Sequence, residues 1–97
     1  MNKAIWKFEL DIFKRDINRK LVISMPKDTI ILTAGEQGES IYIWAEVDPN
    51  ASTELRTFEV FGTGSDMYCD MGIGRKYIGT AILRNGRLVF HVYERIN

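Results

Sequence analysis

The residues with chemistry to offer are concentrated in one stretch, Gly62 to Arg75, which reads GTGSDMYCDMGIGR. Gly62, Gly64, Gly72 and Gly74 let a backbone approach a ligand closely, and Arg75 with Lys76 puts positive charge beside them. One reading is therefore a nest of N–H groups that cradles a phosphate. The plainer reading is that these glycines only permit the bends of a loop. Neither GTGSD nor GIGRK is a nucleotide fingerprint, because the GK[ST] ending of the Walker motif is missing and no helical segment follows to offer its N-terminus. Asp66 and Asp70, beside Tyr68 and Cys69, supply fewer oxygens than calcium takes, and solvated carboxylates explain them better than a metal or an acid–base pair. Cys69 as a nucleophile needs a base, and His91 is the only histidine in the chain. His91 falls in the middle of a predicted strand opposite Thr80, where a hydrogen-bonded structural imidazole is the expectation. One cysteine and one histidine cannot make a zinc cage, and no cofactor is implied.

Two aromatic residues outside this stretch also invite a binding role. Tyr42 and Trp44 share a strand face with Glu46, so they form either an exposed stacking surface for a base, peptide or partner, or the second layer of a sandwich. Lys14, Arg15, Arg19 and Lys20 make a short basic cluster that Asp11 and Asp16 interrupt, and a solvated loop accounts for it.

The elements that must hold these residues alternate with period two, the mark of strands with one buried face. Ala4, Trp6, Phe8 and Leu10 oppose Lys7 and Glu9, while Leu21, Ile23 and Met25 oppose Lys20, Val22 and Ser24 up to Pro26. The stretch between them, Asp11 to Asn18, fits neither period and is predicted as an irregular connection. Ile30, Leu32 and Ala34 are expected on one face of a third strand, and Gly35 to Glu39 turns the chain. Ile41, Ile43, Ala45 and Val47 define the fourth strand, and Leu55 to Phe61 the fifth, with Arg56, Phe58 and Val60 on one side. A turn of helix is the only helical candidate, near Pro49 to Glu54. Trp6, Phe8, Phe58 and Phe90 are predicted core.

Asn85-Gly86 supplies the two positive φ values of a type I′ turn and so sets the register of the last hairpin. It pairs Leu83 with Leu88, Ala81 with Phe90, Gly79 with Val92, Ile82 with Val89, Thr80 with His91 and Ile78 with Tyr93. Small Gly79 and Ala81 facing large partners predicts close packing or strong curvature at Gly79. Residues 1–97 are thus predicted to form one all-β domain of about seven strands, antiparallel, with little or no helix, barrel-like in the first instance and a sandwich in the second.

Composition limits the function classes. The 97 residues carry 13 Lys plus Arg against 13 Asp plus Glu, so no global field draws the chain to nucleic acid or an anionic membrane. A hydrophobic share of 45% with 27% charged residues is that of a folding domain rather than a disordered one. The longest apolar run is far short of the roughly 20 residues that span a bilayer. A single cysteine and the lack of a leader-like pattern predict a reducing, cytoplasmic setting.

Several segments together resemble a family of small bacteriophage and prophage proteins: IWKFEL at 5–10, MPKD at 25–28, IYIWAEVDP at 41–49, RTFEVFGTG at 56–64, YIGT at 77–80 and LVFHVYE at 88–94. The resemblance covers nearly the full length, except that Asp11 to Lys20 is longer than the connection common in that family. It implies origin and fold, and brings no catalytic residues with it. The expectation is a non-enzymatic binding protein made in the infected or lysogenic bacterial cell, acting on a host protein in host takeover or as a defence inhibitor. Its expected surface is Gly62, Gly64, Gly72, Gly74, Arg75 and Lys76, with Tyr42 and Trp44. Sequestering a nucleotide-like ligand in the glycine loop, or a structural or assembly role in the virion, are the alternatives. An exposed sheet edge leaves a homodimer open in each case.

Overall fold

Alternation of apolar and polar residues builds seven strands, and backbone pairing joins all of them into one sheet. The computed structural model describes residues 2–67 and 74–96. The strands are β1 (Ala4–Leu10), β2 (Lys20–Pro26), β3 (Ile30–Gln37), β4 (Ser40–Val47), β5 (Thr53–Gly62), β6 (Arg75–Leu83) and β7 (Leu88–Arg95), with 3₁₀ turns at Ile12–Lys14 and Arg84–Gly86. Their order across the sheet is β1-β4-β3-β6-β7-β5-β2. The sheet curls into a nearly closed barrel, and the described residues contain no α-helix. Every neighbouring pair is antiparallel except β3 and β6, which run parallel and meet in register at Ala34 and Gly79.

The inner face holds the core. Leu10, Leu21, Met25, Ala34, Ile41, Ile43, Ala45, Val47, Phe58, Val60, Ala81, Leu83 and Val92 are buried together there, with Phe8, Ile23, Ile31 and Phe90 packed against them. Gly79 admits a close approach to β3: a Cβ at this position would lie 2.9 Å from the amide nitrogen of Ala34 and nearer still to its carbonyl oxygen. The close packing predicted at Gly79 falls at the junction between the β1-β4-β3 and β6-β7-β5-β2 halves.

Five local expectations are corrected. Leu32 is the extra residue of a β-bulge, because Ile31 pairs with Ala45 and Thr33 with Trp44. The bulge inverts the alternation, so Ile31 and Ala34 face the core while Ile30 and Leu32 are exposed. A second bulge at Ile78 pairs Tyr93 with Tyr77 instead, although the predicted register holds from Gly79 to Leu83. The helical turn expected at Pro49 to Glu54 is an Asx-type turn, in which Asp48 Oδ1 accepts from the Asn50 amide at 3.0 Å and the Asp48 carbonyl accepts from Ala51 at 3.1 Å. β5 then starts at Thr53. Trp6 points inward but stays 40% exposed, because β1 is a sheet edge and no strand among the described residues pairs with its other side. The final turn has the predicted left-handed geometry at Asn85 (φ 54°) and Gly86 (φ 90°), but Arg84 is left-handed too at φ 51°, so pairing stops at Leu83 and Leu88 instead of reaching Arg84 and Arg87.

Candidate functional site

Strand direction separates the residues of the glycine loop. β5 and β6 run the same way with β7 between them, so Gly62 ends β5 at one end of the sheet and Arg75 starts β6 at the other. Gly62 pairs with Phe90 and Arg75 with Arg95, a span of five residues along β7 that corresponds to roughly 17 Å at strand rise. Gly62 and Gly64 therefore sit apart from Gly74, Arg75 and Lys76. Gly72, Tyr68, Cys69 and Asp70 lie outside the described residues. Gly64 occupies a turn at φ 88°, with the Ser65 amide donating to the Gly62 carbonyl at 3.0 Å.

Arg75 and Lys76, adjacent on a strand, project to opposite faces. Arg75 Nε donates to Glu59 Oε1 at 2.7 Å, and Arg95 Nη1 reaches Glu59 Oε2 at 3.2 Å. Glu59 is 1% exposed, so this is a buried carboxylate held between two guanidinium groups on the outer side of the sheet. Arg75 also lies over the Phe61 ring at 5.4 Å, and Phe61 packs edge-on against Tyr93. Lys76, on the other face, is exposed beside Glu94 and Ile96. Sequence reasoning missed the role of Glu59. Its signal was a charged residue alternating with Phe61 on a strand whose opposite face, Phe58 and Val60, is also apolar.

His91 is engaged on both ring nitrogens: Thr63 Oγ1 lies 2.7 Å from Nε2, and Thr80 Oγ1 lies 3.1 Å from Nδ1. This is the mid-strand, hydrogen-bonded imidazole that the hairpin register implied. Tyr42 and Trp44 lie half-buried on the outer face of β4, 6.0 Å apart between ring centroids. Lys7 Nζ sits 4.6 Å over the Tyr42 ring. The strand β3 separates both from β6, so they form no common surface with Lys76.

A different place gathers exposed apolar side chains. The end of the barrel where β1, β3, β5 and β6 finish opens into a cavity of about 320 Å³. Its walls are Leu10, Ile12, Phe13, Ile41, Leu83 and Leu88, and Glu9, Asp11 and Glu39 give it an acidic rim, with Arg84 opposite. Phe13 is 91% exposed, and Ile17 on the same connection is 88% exposed. The connection carrying them is fixed from below. Asp11 caps the 3₁₀ turn by accepting from the Phe13 amide at 3.0 Å, and Asp16 Oδ1 accepts from the Asn18 and Lys20 amides. Arg15 turns inward, donating to the Ile12 carbonyl at 3.0 Å and the Val60 carbonyl at 2.7 Å. Burial depresses the Arg15 guanidinium below the ordinary arginine value, and Arg19 adds to the fall. The cost of burying Arg15 is met by hydrogen bonds that tie this connection to β5.

At the opposite end, Arg56 bridges β5 and β7 through a two-pronged contact with Glu94, 2.5 Å at Nε and 2.9 Å at Nη2, and donates to the Thr29 carbonyl. The hydrogen bond to Glu94 raises the Arg56 pKa against the opposing effect of burial. Among the described residues no group of three or more His, Cys, Asp or Glu could hold a metal ion, and no helix is long and apolar enough to cross a membrane.

Residues 1–97 match, over that whole span, a family model described as a domain of unknown function (DUF7352). The chain belongs to this family. No curated protein and no solved structure matches it. The matched span takes in every strand from β1 to β7 and the connection that carries Phe13.

Proposed function

We propose that this chain is a small non-enzymatic binding protein of phage or prophage type, acting in the cytoplasm of the bacterial host cell by occupying a host protein. The observation that carries this reading is Phe13, 91% exposed at the rim of an apolar mouth, on a connection fixed by Arg15, Asp11 and Asp16. An aromatic side chain held ready on a rigid base is the usual anchor of a protein interface, because little freedom is lost when it is buried. The acidic rim of Glu9, Asp11 and Glu39 favours a partner segment that pairs an apolar side chain with flanking Lys or Arg.

Lys76 where β6 starts, and Tyr42 with Trp44, remain as second and third surfaces for the same role. Arg75 is already committed to Glu59, which weighs against a nucleotide-binding role for it. Host proteins captured from lysate are first identified, then purified and titrated against the chain by calorimetry. Phe13→Asp with Ile17→Asp is expected to weaken binding at least a hundredfold with the fold intact, whereas Lys76→Ala leaves it within about threefold, in line with the concentration of binding energy in a few anchors. Equal affinity for wild type and the Phe13/Ile17 variant would reject the mouth. Loss on Lys76→Ala alone would move the site to the end of the sheet where β6 starts, and a melting-temperature rise with nucleotides would favour the small-ligand reading.

A further inference from the structure

β1 ends the sheet. It pairs with β4 on one side, and among the described residues no strand pairs with its other side, which leaves a row of backbone donors and acceptors open. Its side chains are unusual for an unpaired edge: Ile5 is 66% exposed on the outer face, and Trp6 is 40% exposed on the inner face. Glu9, on the outer face with Lys7, has no ion-pair partner among the described residues.

From this we infer that β1 pairs antiparallel with β1 of a second copy, extending the sheet across a two-fold axis at Phe8. Antiparallel pairing that keeps inner faces continuous must match odd residues with odd and even with even. Centring the axis on Lys7 sets Lys7 against Lys7 of the second copy, and centring it on Glu9 sets the two glutamates against each other. Centring on Phe8 sets Lys7 against Glu9 twice, Phe8 against Phe8, and Trp6 against Leu10. The outer face then gains two opposite-charge pairs, and the inner face covers the exposed Trp6 ring with apolar side chains. The other edge, β2, offers no such match: it carries Lys20 without an acidic residue, and Pro26 removes a donor.

Charge exchange tests the register. Wild type, Lys7→Glu, Glu9→Lys and the double variant are compared by sedimentation over a concentration series, with circular dichroism confirming the fold of each. Each single change converts two attractive pairs into two repulsive ones and is expected to weaken the dimer at least tenfold, while the double variant restores it to within about threefold. Ser24→Glu, exposed on β2 and outside the cavity that Glu9 and Val22 line together, is expected to leave the dimer unchanged. A second reading, independent of mutation, is amide exchange: protection in β1 should rise with protein concentration while that in β2 does not. A monomeric wild type at every concentration, a dimer indifferent to Lys7→Glu, or a dimer lost on Ser24→Glu would each overturn the inference. A singly disrupted dimer that the double variant fails to rescue would overturn the Phe8-centred register. An axis on Trp6 would do this, since it places Glu9 against Lys3.

Discussion

Glu59 shows how one residue can fix a region of the molecule without taking part in chemistry. Its carboxylate is buried outside the barrel core and is satisfied by Arg75 and Arg95, which come from β6 and β7. Three strands are thereby held at one point, next to Phe61 and Tyr93. Removing the negative charge takes its carboxylate from the buried Arg95 guanidinium, and such an uncompensated charge costs far more than the intact pair contributes. Glu59→Gln, nearly identical in shape, is expected to lower unfolding free energy by about 3 kcal/mol in urea titration. His91 is held by two hydroxyls, of which the hairpin register implied Thr80 and only the packing of β5 on β7 supplied Thr63.

The two bulges decide which side chains each strand shows. In β3 the extra residue Leu32 reverses the alternation halfway along, so that Ile31 reaches the core from a position that simple period-two counting assigns to the outside. In β6 the bulge at Ile78 brings Tyr77 opposite Tyr93, where the two rings pack edge to face at 5.5 Å. The β3 bulge makes a pair of substitutions diagnostic. Leu32→Lys is expected to change stability by no more than about 0.5 kcal/mol, as an exposed substitution does, whereas Ile31→Lys sets a charge against the core and is expected to cost about 2 kcal/mol or more. Thermal melts of the two variants would check this. Unbroken alternation predicts the opposite ranking. The β1–β2 connection is likewise an element with its own logic, since Asp11, Arg15 and Asp16 spend their hydrogen bonds inward and leave Phe13 and Ile17 outside.

At the scale of the whole molecule, the barrel is two antiparallel halves joined along β3 and β6. Only a residue without a side chain allows that approach, so the joint depends on Gly79. Gly79→Ala forces a methyl group against the backbone of Ala34 and is expected to destabilise the barrel by about 2 kcal/mol or more. Gly35→Ala serves as the control, because its added methyl would meet only the Trp44 ring at an ordinary 3.8 Å; a change within about 0.5 kcal/mol is expected. Denaturant titration of both variants distinguishes a steric joint from a general loss of chain flexibility. The same topology leaves two unpaired edges, β1 and β2, and sends the Gly62 to Arg75 connection from one end of the sheet to the other.

Alternating patterns such as Ile41, Ile43, Ala45 and Val47 specified the strands, and Asn85-Gly86 specified a turn and five residue pairs of its hairpin, because both depend on neighbours close in sequence. The tight packing at Gly79 was visible for the same reason, from its cross-strand partner Val92. Its contact with Ala34 was not, since no local rule says which strands become neighbours through a parallel junction. Tertiary order also separated Gly62 from Arg75, gave Arg75 to Glu59, and left Phe13 uncovered at the mouth. Burial and charge pairing between distant strands are properties of how the sheet closes, and a one-residue bulge is enough to reverse them where periodicity is the only guide.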